Sequence, residues 1–140
     1  MTPEAEAYLA NARESLSDAV YLMQGGRRKA AARAAYYAGF QAALAFIFDH
    51  TGRAVKTHSG ARSEFSRLTT NAPAFTLEDR RFLGQTYALK NAADYATGPA
   101  AHVSAEEASR AIARAKHLVD AVESALFEAP GPIVEDGGNP

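Results

Sequence analysis

The chain has 140 residues, a net charge of −1 at pH 7 and no cysteine. This length is typical of one domain with its own hydrophobic core, and the lack of cysteine excludes disulfides, thiol catalysis and thiolate metal sites. A net charge this small excludes a global field that attracts nucleic acid or lipid, so an anion-binding site must be a local cluster of cations.

The first predicted helix covers about residues 2–23. Thr2 is a suitable N-cap, and Pro3 suits the first helical position. Gly25 and Gly26 are expected to end the helix. Its apolar residues recur at steps of three and four, which is the spacing of one helix face. These residues are Tyr8, Leu9, Ala12, Leu16, Ala19, Val20 and Met23.

The second predicted helix covers about residues 27–50 and contains the most apolar segment of the chain. Residues 34–48 carry no charge and include five aromatic side chains. Such a helix cannot remain in water, so we expect it at the centre of a bundle or in a subunit interface. The segment is too short to cross a membrane, and the acidic first residues differ from a signal peptide. We therefore expect a cytoplasmic protein without membrane contact.

Three more helices are predicted after a loop over residues 52–58. The fourth helix is expected to begin at Thr76, where Asp79 completes a capping box. The fifth is expected to begin at Ser104, where Glu107 completes a second capping box. The expected core positions are Ala61, Phe65 and Leu68 on the third helix, Phe82, Thr86, Leu89, Ala93 and Ala96 on the fourth, and Ala108, Ile112, Ala115, Val119, Val122 and Leu126 on the fifth.

Long helices joined by short loops predict an all-α, up-and-down bundle of four to five helices over residues 1–128. Helices rich in alanine approach one another closely, and the same property favours contact with a second copy, so a homodimer is expected. Residues 129–140 contain three prolines and three glycines. They are predicted to form a disordered tail.

Several kinds of enzyme are excluded by motifs that the sequence lacks. It has no phosphate-binding P-loop and no glycine-rich dinucleotide motif. None of its four histidines follows a glutamate by three residues, as a di-iron bundle requires, and no His-Glu-x-x-His zinc motif is present. We therefore predict no metal site and no cofactor.

A basic turn opens the second predicted helix. Arg27, Arg28 and Lys29 stand at its start, and Arg33 follows one turn later. Positive charges oppose the helix dipole at this end, which favours an anion, such as an RNA phosphate, held by free backbone N–H groups and the side chains. The alternative is a solvated basic turn that keeps an apolar helix in solution, as most charge runs do.

Two further positions allow both a structural and a functional role. Tyr36 and Tyr37 point about 100° apart on a helix, so they cannot face one core, and one hydroxyl is expected to find a polar partner where helices meet. His58 lies between Thr57 and Ser59, either of which can cap the third helix. The His58 ring can bind phosphate or titrate near neutrality, or it can simply belong to a capping turn.

Lys90 and Asp94 stand four residues apart on the fourth predicted helix. This spacing allows an ion pair, although lysine before aspartate is the weaker orientation. One interpretation is an ordinary surface ion pair. The other is that the two residues belong to a functional site.

Three segments point to a known family. Residues 31–45, with the sequence Ala-Ala-Arg-Ala-Ala-Tyr-Tyr-Ala-Gly-Phe-Gln-Ala-Ala-Leu-Ala, resemble the signature second helix of small stand-alone HEPN domains. Residues 57–60, Thr-His-Ser-Gly, are similar to a Lys/Thr-His-Ser-Gly segment of the same branch, where a phenylalanine follows. Asp94 and Tyr95 resemble the end of its Arg-x-x-x-Asp-Tyr segment. The resemblance covers about residues 5–127.

The resemblance implies a bundle of four or five helices that is usually dimeric. Many HEPN domains are metal-independent ribonucleases, with a motif of an arginine, a polar residue and then a histidine after four to six positions in all. Two copies of the motif meet at the dimer interface. Many are toxins encoded beside a minimal nucleotidyltransferase antitoxin, and others have lost catalysis and serve as binding modules.

The sequence departs from that catalytic motif at both of its ends. Lys90 stands where the family has arginine, and Tyr95 stands at the spacing of the histidine, while Asn91 keeps the polar second position. Lysine is a point charge without the bidentate fork of arginine. A phenol ordinarily loses its proton near pH 10, which makes it a poor base at neutrality. The resemblance therefore implies weak or absent ribonuclease activity.

Two other arginine–histidine pairs fit the loose spacing of the motif. They are Arg53 with His58 and Arg110 with His117. A two-residue pattern with variable spacing arises often by chance, so neither pair is taken as the site.

The leading prediction is a HEPN-type binding module that associates with RNA or a nucleotide, with a nucleotidyltransferase partner, or with both, in a toxin–antitoxin or defence setting. Its predicted binding residues are Arg27, Arg28, Arg33, Tyr37 and His58. The first alternative is a divergent metal-independent ribonuclease with Lys90, Asp94 and Tyr95 as catalytic residues. The second is a dimeric scaffold that binds only another protein.

Overall fold

The computed structural model describes residues 1–95 and 102–128, and within them all regular structure is helical. The five helices are α1 (Pro3–Gln24), α2 (Arg28–Thr51), α3 (His58–Thr69), α4 (Leu77–Tyr95) and α5 (Ala105–Glu128). The predicted all-α bundle is confirmed. The predicted core position Ala96 and the predicted tail at 129–140 lie outside the described residues.

The bundle is organised around α2, which packs against each of the other four helices. Twelve of its residues are buried, from Ala31 to Ile47, and they include Tyr36 and Phe46. This confirms that the uncharged segment lies at the centre of the bundle. Its burial in a single chain follows from the uniform lack of charge around the helix, which leaves no face suited to water.

Small residues allow the neighbouring helices to approach α2 closely. Gly39 is the clearest case, because a Cβ atom at this position would collide with the ring of Phe82 on α4. Phe82 is 1% exposed, so its ring lies within the packed core of the bundle. Gly39 therefore fixes the distance between α2 and α4.

The helix ends form as the sequence predicts. The Thr2 hydroxyl accepts a hydrogen bond from the Ala5 N–H at 3.0 Å, and Thr57, rather than Ser59, caps α3 by accepting from the Gly60 N–H at 3.0 Å. Both capping boxes are present. In the first, the Asp79 N–H donates to the Thr76 hydroxyl and the Thr76 N–H donates to the Asp79 carboxylate, each at 3.0 Å. The second box, at Ser104 and Glu107, has the same geometry.

Among the predicted core positions, one is exposed and five are half-buried. The exposed one is Val20, and the half-buried ones are Tyr8, Met23, Leu68, Leu89 and Ile112. Val20 is 42% exposed, because the buried face of α1 is centred on the alanine and leucine positions from Ala5 to Ala19, and Val20 lies one position further around the helix. Ile112 on α5 is half-buried, while Leu118, which was not predicted, is completely buried. Simple spacing identified the faces of these helices but not their exact centres.

The buried carboxylate of Asp79 both caps α4 and contacts α5. Asp79 is 3% exposed, and besides capping α4 it lies 2.8 Å from Nδ1 of His117 on α5. This contact attaches α5 to the first turn of α4. It also occupies His117, one of the two histidines that fit the loose ribonuclease spacing.

We predict that Gly39→Ala destabilises the bundle. Overpacking of a core typically costs about 1–3 kcal/mol, and this cost should outweigh the gain of up to about 1 kcal/mol in helix propensity from glycine to alanine. Urea denaturation of both proteins measures the difference. Gly25→Ala is the matched control, because a Cβ there would lie 3.6 Å from its nearest neighbour, and we expect a much smaller change. Equal stability of Gly39→Ala and the parent would contradict the close contact.

Candidate functional site

An aromatic cluster joins α2, α3 and α4 at one side of the bundle. The Tyr36 hydroxyl lies 2.8 Å from Nδ1 of His58, the first residue of α3. The His58 ring stacks on Tyr87 of α4, with 3.7 Å between ring centroids and 15° between ring planes. Tyr36 is 3% exposed, so its hydroxyl has found the polar partner that the sequence predicted where helices meet.

Burial sets the protonation of this cluster. It raises the pKa of Tyr36, with smaller contributions from Tyr37 and Tyr87, so the group stays a hydroxyl that can donate or accept a hydrogen bond. Burial also lowers the pKa of His58, and the positive charges of Arg62 and Lys90 lower it further. His58 is therefore a neutral imidazole at pH 7. One tautomer leaves its Nε2 as a donor, and the other leaves it as a base.

An ionic cluster lies beside the aromatic one. The Asp94 carboxylate accepts a hydrogen bond from Arg33 Nε at 2.6 Å and lies 3.0 Å from Lys90 Nζ. The side chains of Lys90 and Asp94 are only 12% and 14% exposed. The predicted Lys90–Asp94 pair exists and is more shielded than an ordinary surface pair. Arg33, whose side chain is 41% exposed, joins it and ties α2 to α4.

The charges in this group depend on one another. Burial opposes ionisation of Asp94, but hydrogen bonds from Arg33 and Lys90 outweigh it and lower the pKa of the carboxyl. The hydrogen bond to Asp94 raises the pKa of Lys90. Lys90 is consequently a cation at neutral pH, and Asp94 is its partner within the protein.

Tyrosine rings surround the Lys90 ammonium group. Nζ of Lys90 lies 5.8 Å from the ring centroids of Tyr37 and Tyr87 and 5.9 Å from that of Tyr95, within the range of cation–π attraction. Tyr37 is 40% exposed and Tyr95 is 75% exposed. Their free faces flank the ionic cluster. We call the whole arrangement the Lys90 site; it consists of Arg33, Tyr36, Tyr37, His58, Tyr87, Lys90, Asp94 and Tyr95.

The predicted binding residues Arg27 and Arg28 lie at a neighbouring groove. This groove, the α2-terminal groove, has a volume of about 410 Å³ and is lined by Gly26, Arg27, Arg28, Lys29, Ala30, Arg33, His102 and Val103. Arg27 occupies the N-cap position of α2 without a side-chain capping bond, so the basic turn does not serve to cap the helix. Arg33 lines the groove and also bonds Asp94, and so belongs to both features.

The structure brings together six residues that the sequence analysis named in two separate sets, the binding residues and the catalytic residues of the alternative. They are Arg33, Tyr37, His58, Lys90, Asp94 and Tyr95. The predicted residues do not include Tyr87, whose ring carries the stacked His58 and faces Lys90. One signal was available, because Tyr87 precedes Lys90 by three residues on the same helix and so shares its face. The pairing of Tyr87 with His58 depends on how α3 packs on α4, which no local pattern reveals.

Two other features of the described residues bear on what the protein can do. In residues 1–95 and 102–128, no three acidic or histidine side chains are grouped in a way that suits a metal ion. The same part of the chain contains no helix long and apolar enough to cross a membrane.

The comparison with known families bears out the resemblance. The HEPN domain model matches residues 5–125, which include every member of the Lys90 site and most of each helix. No curated protein matches the sequence.

We predict that Asp94→Asn destabilises the protein and removes a pH-dependent part of its stability. Because the folded protein lowers the pKa of Asp94, the stability from this group is complete above the ordinary aspartate value of about 3.9 and is lost as the pH falls through the lower folded value. Loss of a hydrogen bond to a charged group costs about 1.5–3 kcal/mol. Denaturation of both proteins between pH 7 and about pH 2 should show the difference shrinking in acid.

Asp18→Asn is the control for this series, because Asp18 is exposed on α1 and forms no ion pair with any described residue. It should leave the pH profile unchanged. A difference between Asp94→Asn and the parent that stayed constant down to pH 2 would show that the carboxylate charge is not what holds the cluster.

Proposed function

This chain belongs to the HEPN domain family, and on that premise we propose that it is an RNA- or nucleotide-binding module with little or no ribonuclease activity. The family is associated with RNA binding or nuclease activity. The Lys90 site is the proposed binding surface. The setting proposed for it is a cytoplasmic toxin–antitoxin or defence module with a nucleotidyltransferase partner.

The observation that carries the proposal is the ionic cluster with exposed tyrosine faces on either side of it. Arg33 and Lys90 supply positive charge, and Asp94 holds both cations in place. Phosphates bind such cations, and nucleic-acid bases stack on exposed aromatic rings without regard to sequence. Tyr37 and Tyr95 offer these rings close to the charges, because their ring centroids lie 5.8 Å and 5.9 Å from Lys90 Nζ.

Two features of the same cluster argue against efficient cleavage. Lys90 lacks the bidentate fork with which arginine stabilises a phosphorane, and its ammonium group is already bonded to Asp94. Tyr95 supplies a phenol where the family motif has an imidazole. The site is therefore better suited to holding a phosphate than to stabilising the extra charge of a transition state.

A divergent ribonuclease is the alternative function, and His58 is the observation that favours it. Its imidazole is neutral at pH 7, and the Tyr36 hydroxyl can fix the tautomer that leaves Nε2 free to accept a proton. In this alternative His58 activates the 2′-hydroxyl, and Lys90 stabilises the developing charge. Asp94 and Tyr95 orient Lys90.

A homodimer remains part of the proposal. Large apolar side chains are exposed on the described surface, among them Val20, Tyr21, Tyr37, Tyr95 and Phe127. Val20 and Tyr21 form a neighbouring pair on α1, and Tyr37 and Tyr95 belong to the Lys90 site. Tyr21 lines one pocket together with Arg33 and Tyr37, so a partner copy on this face of α1 would adjoin the Lys90 site. A scaffold that binds only protein would instead use both pairs of exposed side chains for protein contacts.

We predict that the protein binds short single-stranded RNA at about 50 mM salt and loses it steeply at higher salt. Tyr37→Ala and Tyr95→Ala should each weaken binding by roughly 5- to 100-fold, because stacking is worth about 1–3 kcal/mol per base. Fluorescence anisotropy with labelled RNA measures both effects. Phe127→Ala is the control, as Phe127 is an exposed aromatic on α5 outside the Lys90 site. No binding at low salt, or an equal loss in the control, would refute the proposal.

We also expect no RNA cleavage beyond background when the protein is incubated with labelled RNA in the presence of a chelator. If cleavage did occur and His58→Gln abolished it, the ribonuclease alternative would replace the binding module. Its rate should then fall as the pH drops through the lowered pKa of His58, below the ordinary value of about 6.5, because the protonated ring cannot act as a base. His58→Gln keeps a hydrogen-bond partner for Tyr36, which guards against misfolding.

A further inference from the structure

A second basic surface lies between α3 and α4, and none of its arginines was among the predicted site residues. We call it the arginine groove. It has a volume of about 550 Å³ and is lined by Arg62, Ser66, Leu77, Arg80, Arg81, Gly84 and Gln85. A concave surface with three arginines is a local cluster of cations in a chain whose net charge is −1.

The Arg62 guanidinium lies flat against the backbone of α4 at Gly84. A Cβ atom at Gly84 would lie 2.8 Å from Arg62 Cζ and 2.9 Å from Nη2, closer than real contacts allow. The lack of a side chain at Gly84 is therefore what lets the guanidinium occupy this position. The Arg62 side chain is exposed, and its guanidinium lies beside the backbone of α4 where the groove passes Gly84.

The three arginines of the groove form no ion pair with any residue that the structure describes. Arg80 donates only to the Thr70 hydroxyl at 3.4 Å, and its Nε is buried with no hydrogen-bond partner in this part of the chain. The guanidinium groups of Arg62 and Arg81 are exposed in the groove, so they are available to an anionic ligand.

The arginine groove continues toward the Lys90 site. An adjoining groove of about 530 Å³ shares Arg62 and Ser66 with it and reaches His58. The His58 ring stacks on Tyr87, whose centroid lies 5.8 Å from Lys90 Nζ. A continuous path thus leads from Arg81, past Arg62, to the aromatic wall of the Lys90 site.

We propose that the arginine groove binds the phosphate backbone of single-stranded RNA that extends from the Lys90 site. This inference rests on the proposed function, and it specifies where on the protein the rest of the RNA strand lies. Serine hydroxyls alternate with the arginines along the path, at Ser59, Ser63 and Ser66. Such a mixture of guanidinium and hydroxyl donors is typical of contacts to phosphate and sugar, which position a strand without reading its sequence.

The first experiment compares RNA of two lengths. An oligonucleotide of about 4 nucleotides can fill only the Lys90 site, and one of about 12 can also occupy the groove. The double variant Arg62→Gln/Arg81→Gln should weaken binding of the longer RNA about tenfold and leave the shorter RNA unchanged. Two lost phosphate contacts should reduce the slope of log affinity against log salt by about 1.4 for the longer RNA. Arg110→Gln on α5, which does not line the groove, is the control.

A second variant keeps every charge. Gly84→Ala displaces the Arg62 guanidinium from α4, at little cost because the displaced group is the end of a flexible side chain. It should weaken binding of the longer RNA only, and it should reduce the slope of log affinity against log salt for that RNA by about 0.7, the value for one phosphate contact. Loss of this effect in an Arg62→Gln background would show that Gly84 acts through Arg62.

The outcomes separate the groove from the proposed function. If neither RNA binds the parent protein, both ideas fail together. Suppose that both RNAs bind the parent protein. If the double variant then binds the longer RNA with unchanged affinity, or loses the same factor of affinity for both RNAs, the groove has no separate role and only the Lys90 site binds RNA. If polyglutamate competes with the longer RNA as effectively as polyuridylate does, the groove accepts any polyanion and its assignment to RNA is overturned.

Discussion

The structure depends on the burial of one uncharged helix segment at the centre of the bundle. From Ala34 to Phe48, α2 carries no charge, and it packs against all four of the other helices while Tyr37 stays 40% exposed. Alanine and glycine keep those neighbours close, as the contact of Gly39 with Phe82 shows. The Lys90 site lies where this burial ends. Arg33 and Tyr36 are less than one turn apart on α2. Arg33 carries the last charge before the uncharged segment, and Tyr36 carries the first hydroxyl within that segment.

The ionic cluster has opposite consequences for binding and for catalysis. Asp94 orients two cations from different helices, which reduces the entropy lost when a phosphate binds them. The same carboxylate already satisfies part of their charge, and this weakens the electrostatic stabilisation that cleavage needs. An arginine in place of Lys90 would have donors to spare after bonding Asp94, whereas an ammonium group has few. The substitution thus affects chemistry more than affinity.

The sequence predicted what depends on neighbours along the chain. The caps at Thr2, Thr57, Thr76 and Ser104 each need only the residue three positions further on, and all of them form. The Lys90–Asp94 pair is local as well. Arg33 joins that pair from 61 positions away, and Tyr87 meets His58 only because α3 packs on α4. These contacts depend on tertiary packing, and so does the position of Arg62 over Gly84.

The guanidinium of Arg33 takes part in two features of the surface. It lines the α2-terminal groove and also holds the last turn of α4 through Asp94. Of the Arg33 nitrogens, only Nε bonds Asp94, so the remaining N–H donors of the guanidinium stay available to an anion in that groove. Asp94 therefore orients a cation that also lines the groove. The α2-terminal groove and the Lys90 site share one side chain, and its position is set from α4.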